Sequence, residues 1–269
     1  MVYTTREYTQ LQKAGLAVSL AAWGILLLRP AQAASWCCGG DCLTPVQTVL
    51  AWDPPFSLVV RMVMASYAPG SLAGDWALML PAMMTPTLIP PLYHIRISSF
   101  ARRRGRSTIL FAIGYGLVWM AAGAVLLLPG LLTRALMPQS WLPALCAAAV
   151  AVVWQATPVK QRSLNRAHQH DSLAAFGTAA DRDAFKLGID HGRWCVVSCW
   201  AAMLVPTLLP HGHMAGMLAV GLLMFCERLD PPAIPAWRLR GFRTVFRYVV
   251  LQWKNARIPA AQNDMTQDG

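Results

Sequence analysis

The stretch TILFAIGYGLVWMAAGAVLLLPGLL, residues 108–132, contains no charged side chain. A bilayer's hydrocarbon core is crossed by a helix of about 20 apolar residues, and this run is longer than that. Lipid offers no partners to backbone amides, so a segment of this kind satisfies them internally as an α-helix. Comparable apolar segments lie on either side, at 15–28, 72–95, 141–157, 189–209 and 214–226. They predict an all-α, polytopic membrane helix bundle of about six transmembrane helices. Composition agrees: 56% of the 269 residues are hydrophobic and 13% are charged, against about a quarter charged in soluble domains.

The net charge of +11 gathers between the apolar segments. ARRRGR fills 101–106, Lys160, Arg162, Arg166 and Lys186 follow the fourth segment, and six basic residues from Arg238 to Arg257 follow the sixth. The alternate connections are poor in Lys and Arg, so the positive-inside rule places both termini in the cytoplasm of a bacterial inner-membrane protein. Membrane lipids are then the expected surroundings. No nucleic-acid-binding motif accompanies the charge, and nucleic acid is not an expected partner.

Five regions follow. Residues 1–35 read as an N-terminal membrane anchor that looks like a signal peptide, with an A-x-A site ending at Ala33. Residues 36–71 form an extracytoplasmic Cys-rich loop and interfacial segment, broken by Asp53-Pro54-Pro55. Residues 72–229 are the helix bundle. In 230–258, Leu239, Phe242, Phe246 and Trp253 alternate with arginines at helical spacing, as in a basic amphipathic helix on the anionic cytoplasmic leaflet. Residues 259–269 read as a disordered tail.

The strongest chemical signal is in DHGRWCVVSCWAAMLVP, residues 190–206. His191, Cys195, Cys199 and Met203 recur every fourth residue, which stacks them along one helix face. Successive members lie about 6 Å apart along the axis, so two neighbours can share an ion and all four cannot. Thiolate and thioether favour Cu(I), and thiolate with imidazole suits zinc or copper. The metal expected is copper, with zinc as second choice. Met79, Met83 and Met84, set among Pro81 and Pro86, form a second soft group that would act as a relay. Close helix packing by cysteine and gap-filling by methionine are the plain alternatives.

Other polar positions read more simply. Gln155 suits helix–helix hydrogen bonding. Glu227 would either neutralise a bound cation or pair with a nearby base. His168 and His170 fall in a solvated loop, and His211, His213 and Met214 make a short outer turn. Cys42 is expected to pair with Cys37 or Cys38, since vicinal cysteines bridge each other only with strain. Seven cysteines, an odd number, leave at least one thiol outside any intrachain disulfide. There is no G-x-S-x-G, P-loop or H-E-x-x-H, so no catalytic residue is named and an enzyme is the lesser expectation.

The ordered pieces ALMLPAMMTPTLIP (77–90), GYGLVW (114–119), WQATPVKQRSLNR (154–166), GIDHGRWCVVSCWAAML (188–204) and MFCERL (224–229) resemble a bacterial family of predicted metal-binding integral membrane proteins, named for a domain of unknown function. The resemblance implies a multi-span bundle with a metal role and supplies no reaction. Ser163, Ala167 and Ser198 stand where family members often carry cysteine. The leading expectation is binding or relay of Cu(I) for a cuproenzyme, for a periplasmic metalloprotein or for copper homeostasis. The alternatives are a non-catalytic accessory subunit of a larger membrane complex and, third, a thiol oxidoreductase using Cys195 and Cys199. Their C-x-x-x-C spacing is one residue longer than the usual redox pair.

Overall fold

The computed structural model describes residues 2–28, 69–137, 139–169, 173, 174, 176–239, 250 and 253. Those residues contain helices and no strand. In chain order they are α1 (Val2–Leu28), α2 (Pro69–Met84), a 3-10 turn (Thr85–Leu88), α3 (Ile89–Ser98), α4 (Arg104–Leu136), α5 (Leu142–Ala156), α6 (Pro158–Ala167), α7 (Gly177–Leu208) and α8 (His213–Leu229). The all-α expectation holds.

The expectation of about six crossings is not carried by these helices. Two, Arg6–Leu28 and Arg104–Thr133, are long and apolar enough to cross a membrane. The pair Leu142–Ala156 and Pro158–Ala167, bent by 69°, would make a third if it counts as one span. The physical reasons are local. The segment at 72–95 is broken by the 3-10 turn, α8 has only 17 residues, and α7 carries Asp190, His191 and Arg193 in the middle of its 32 residues. The Cys-rich loop, the segment 45–66, the tail 259–269 and most of the amphipathic helix lie outside the described residues. Residues 231–239 run without helix.

Helices α4 and α7 form the central pair. Glycine makes their approach close: a Cβ on Gly188 would stand 2.2 Å from the Phe111 carbonyl oxygen, and one on Gly114 would stand 2.5 Å from that of Phe185. Small residues that let backbones meet are the usual packing device where lipid removes the hydrophobic drive between helices. Basic residues then pin the start of α4. Arg103 and Arg106 both reach Asp181 of α7, at 2.7 and 2.6 Å, and Arg104 reaches Glu7 of α1 at 2.7 Å.

The break after α2 follows from proline. Pro86 has no N–H, so the Ala82 carbonyl one turn earlier loses its helical donor. Helix α1 replaces it, with Ser19 Oγ donating to that oxygen at 2.6 Å and Trp23 Nε1 at 3.0 Å. The chain tightens into the 3-10 turn and leaves Met84 at the end of α2, buried against the core.

The fourth segment ends where expected, at Ala156, but a second helix and not a basic loop follows it. Thr157 accepts from the backbone N–H of Lys160 at 3.2 Å and acts as N-cap, with Pro158 in the first turn. Proline is preorganised for that position. The chain therefore restarts as α6 in a new direction, and Lys160 turns inward instead of lying in a basic loop.

Candidate metal centre

Helix α7 presents both of its thiols to the interior, and Cys195 and Cys199 are each almost fully buried. Two hydrogen bonds fix them: Cys199 Sγ donates to the Cys195 carbonyl at 2.9 Å, and Tyr115 Oη of α4 lies 3.5 Å from Cys195 Sγ. Ser198, between them in sequence, donates to the same carbonyl at 2.7 Å.

Both thiols line one small cleft. Met84 from the end of α2 and Met224 from α8 reach it, with Glu227 and Arg228 on the wall beside Met224. Two cysteines and two methionines from three helices therefore line a common space. Thr87 of the 3-10 turn and Ser198 are its small polar edges.

The remaining sequence candidates sit elsewhere in the same interior. His191 is one turn before Cys195, buried between the rings of Phe111 and Tyr115, each with its centroid 6.0 Å away. Met203 is fully buried one turn after Cys199, and Met79 and Met83 are buried along α2. Met83 packs on α8 where Gly221 leaves room, its Cε 3.7 Å from where a Cβ would stand. None of these four lines the cleft. Among the described residues, no three His, Cys, Asp or Glu side chains cluster as a metal site.

Sequence reasoning passed over two residues of this region. Met224 stands in the sequence only within the piece MFCERL, and it lines the cleft. Lys160 read as a loop charge, and it is fully buried, 2.8 Å from Glu227 Oε1. Gln155 bridges the two, donating to Glu227 and accepting from Lys160. Glu227 thus pairs with a base, and the Gln155 amide ties helices together as its place in the sequence suggests. The signal for Lys160 was available, because Thr-Pro followed by a helical run is an N-cap with proline behind it.

The outer histidines and His168 also have defined places. His213 Nδ1 lies 2.6 Å from the Pro206 carbonyl and closes the α7–α8 turn, in which Gly212 takes a φ of 77°. His168 caps α6 through the Leu164 carbonyl at 2.8 Å, so it is part of the fold and not a free loop residue. His170, Cys37, Cys38 and Cys42 lie outside the described residues. Cys146 and Cys226 are free thiols away from the cleft.

Fold and cleft together define an all-α protein whose interior gathers sulfur donors, the composition of a soft-metal handler. The sequence profile of the family described as PpoB2, copper chaperone, matches residues 73–251, more than half of the chain, and the chain belongs to this family. The resemblance read from the five sequence pieces holds at the level of a metal-related family. No curated protein and no solved structure gave a match.

Proposed function

We propose that this protein is a multi-pass inner-membrane copper handler that binds Cu(I) through Cys195 and Cys199, with Met84 and Met224 completing the set. The observation that carries this reading is the shared cleft, which Cys195 and Cys199 of α7 line together with Met84 of α2 and Met224 of α8. Soft sulfur donors favour Cu(I), and the family is one of copper chaperones. Two thiolates on a monovalent ion leave one negative charge. Arg228 on the cleft wall offsets it, since opposite charges attract strongly away from bulk water.

Copper is cargo here, so it must arrive and leave. Met79 and Met83 line up along α2 on the approach to Met84, and thioethers bind Cu(I) weakly enough for transfer. The ion would pass along this row to the thiol pair and from there to a cuproenzyme or periplasmic metalloprotein. His191 and Met203 flank the pair by one turn on each side and assist its approach without entering the cleft.

The membrane setting is supported by large apolar side chains left exposed along α4 and α5, among them Ile109, Ile113, Leu117, Val125, Leu145, Val152 and Val153. An apolar surface of that extent marks contact with lipid or with another protein. We place both termini in the cytoplasm, with the basic stretch 101–106 and helix α6 on that side.

The test is metal content after purification in detergent under reducing conditions with Cu(I) supplied. One copper per chain is expected, lost in the Cys195→Ser/Cys199→Ser variant while helix content by circular dichroism is kept. A chain that takes up no copper, yet co-purifies in fixed ratio with larger membrane subunits, would replace this reading with that of an accessory subunit.

A further inference from the structure

Helices α6 and α7 leave an open groove that the copper reading does not use. Val159, Arg162, Arg166 and Gln169 line it from α6 and the residues just after, with Trp194 and Val197 from α7. Positions 159, 162 and 166 fall on one face of α6 by their spacing of three and four. Both guanidinium groups are exposed, and neither has an acidic partner among the described residues. The groove therefore combines two cationic residues with an apolar part, Val159, Trp194 and Val197, and with the polar Ser163, Asn165 and Gln169. Asn165 anchors this side of α6, donating to the Ala233 carbonyl at 2.8 Å and accepting from its N–H at 3.2 Å.

We propose that this groove binds one anionic phospholipid, its phosphate held by Arg162 and Arg166 and its glycerol and upper acyl chain lying on Val159, Trp194 and Val197. The proposal rests on the membrane reading above. Arginine's planar fork matches phosphate oxygens through paired hydrogen bonds, and two arginines one turn apart can take one headgroup from both sides. Placement supports a lipid over other anions. Helix α6 turns away by 69° at the end of α5, whose outer face exposes Leu142, Leu145, Val150, Val152 and Val153. The groove thus begins where a lipid-facing helix ends, at the level where tryptophan prefers to sit and where the cytoplasmic leaflet is anionic. An acidic peptide or an oligonucleotide would use the arginines and would have no need of the apolar part or of the neighbouring α5 face.

The experiment is native mass spectrometry of the full chain in non-ionic detergent, titrated with phosphatidylglycerol or with phosphatidylcholine of the same acyl chains. The unaltered protein should retain a single phosphatidylglycerol with an apparent affinity about thirtyfold above that for phosphatidylcholine, the scale set by two surface arginines. Arg162→Gln/Arg166→Gln should abolish the preference. Arg102→Gln/Arg182→Gln removes the same charge away from the groove and should keep it. Arg166→Gln alone, expected to lose part of the preference, serves if the double variant does not fold. The proposal is overturned if the two lipids bind equally, if the control variant loses the preference as fully as the groove variant, or if oligo-uridylate or polyglutamate displaces the lipid from the groove. Membrane fractionation separates the two levels: a chain recovered as soluble overturns this proposal and the membrane reading together. An integral chain with no lipid preference overturns this proposal alone.

Discussion

Replacing Lys160 with methionine tests the buried network beside the cleft. Lys160 and Glu227 are almost fully shielded from solvent and 2.8 Å apart, and Gln155 bonds to both. Lys160→Met keeps most of the length of the side chain and removes its charge. Glu227 is left buried without a counter-ion, and breaking such a pair from one side costs about 3–5 kcal/mol. Glu227→Leu strands Lys160 in the same way, at a similar cost. The double variant Lys160→Met/Glu227→Leu removes both charges and leaves only Gln155 without its partners, which costs about 1–3 kcal/mol. The double variant should therefore be more stable than either single variant, with a coupling of several kcal/mol. Denaturant unfolding in detergent micelles, followed by tryptophan fluorescence, measures all four proteins. The reasoning is refuted if Lys160→Met costs under about 1 kcal/mol, or if the double variant loses the sum of the two singles.

Four further outcomes are expected. Gly188→Ala forces a methyl group to within 2.2 Å of the Phe111 carbonyl, so α4 and α7 must part, at a cost of about 1–3 kcal/mol or more. Gly105→Ala, with nothing within 4 Å, should be neutral or stabilise by up to about 1 kcal/mol; equal losses in the same unfolding assay would sink the close-contact account. Met84→Leu and Met224→Leu keep apolar volume and should each weaken Cu(I) affinity about tenfold or more in competition with a chromogenic chelator, on the scale of partners that tune metal sites. Met203→Leu, outside the cleft, should leave that affinity unchanged.

The helices were largely legible from hydropathy. The run at 108–132 appears within α4, and the row from His191 to Met203 lies on one helix as its spacing required. What hydropathy could not show is where a helix stops carrying itself across a membrane. The proline at 86 breaks a segment that reads as one apolar unit, and only the partner groups reveal how the break is filled. The donor set of the cleft was half legible for a related reason. Cys195 and Cys199 share a helix, so their spacing places them together. Met84 and Met224 come from other helices, and no periodicity within one segment tells which thioether meets which thiol. The same limit hid Lys160. A lysine after an apolar segment looks like a solvated charge until its glutamate, 67 positions further on, is seen facing it.

The Ala82 carbonyl has a consequence for what holds Met84 in place. Both donors that satisfy it come from α1, so the first helix braces the proline break that ends at Met84. A rotation or axial slip of α1 by a fraction of a turn would release that oxygen and let the break relax, carrying the methionine sulfur with it. The N-terminal helix is in this sense a lever on one wall of the sulfur cleft.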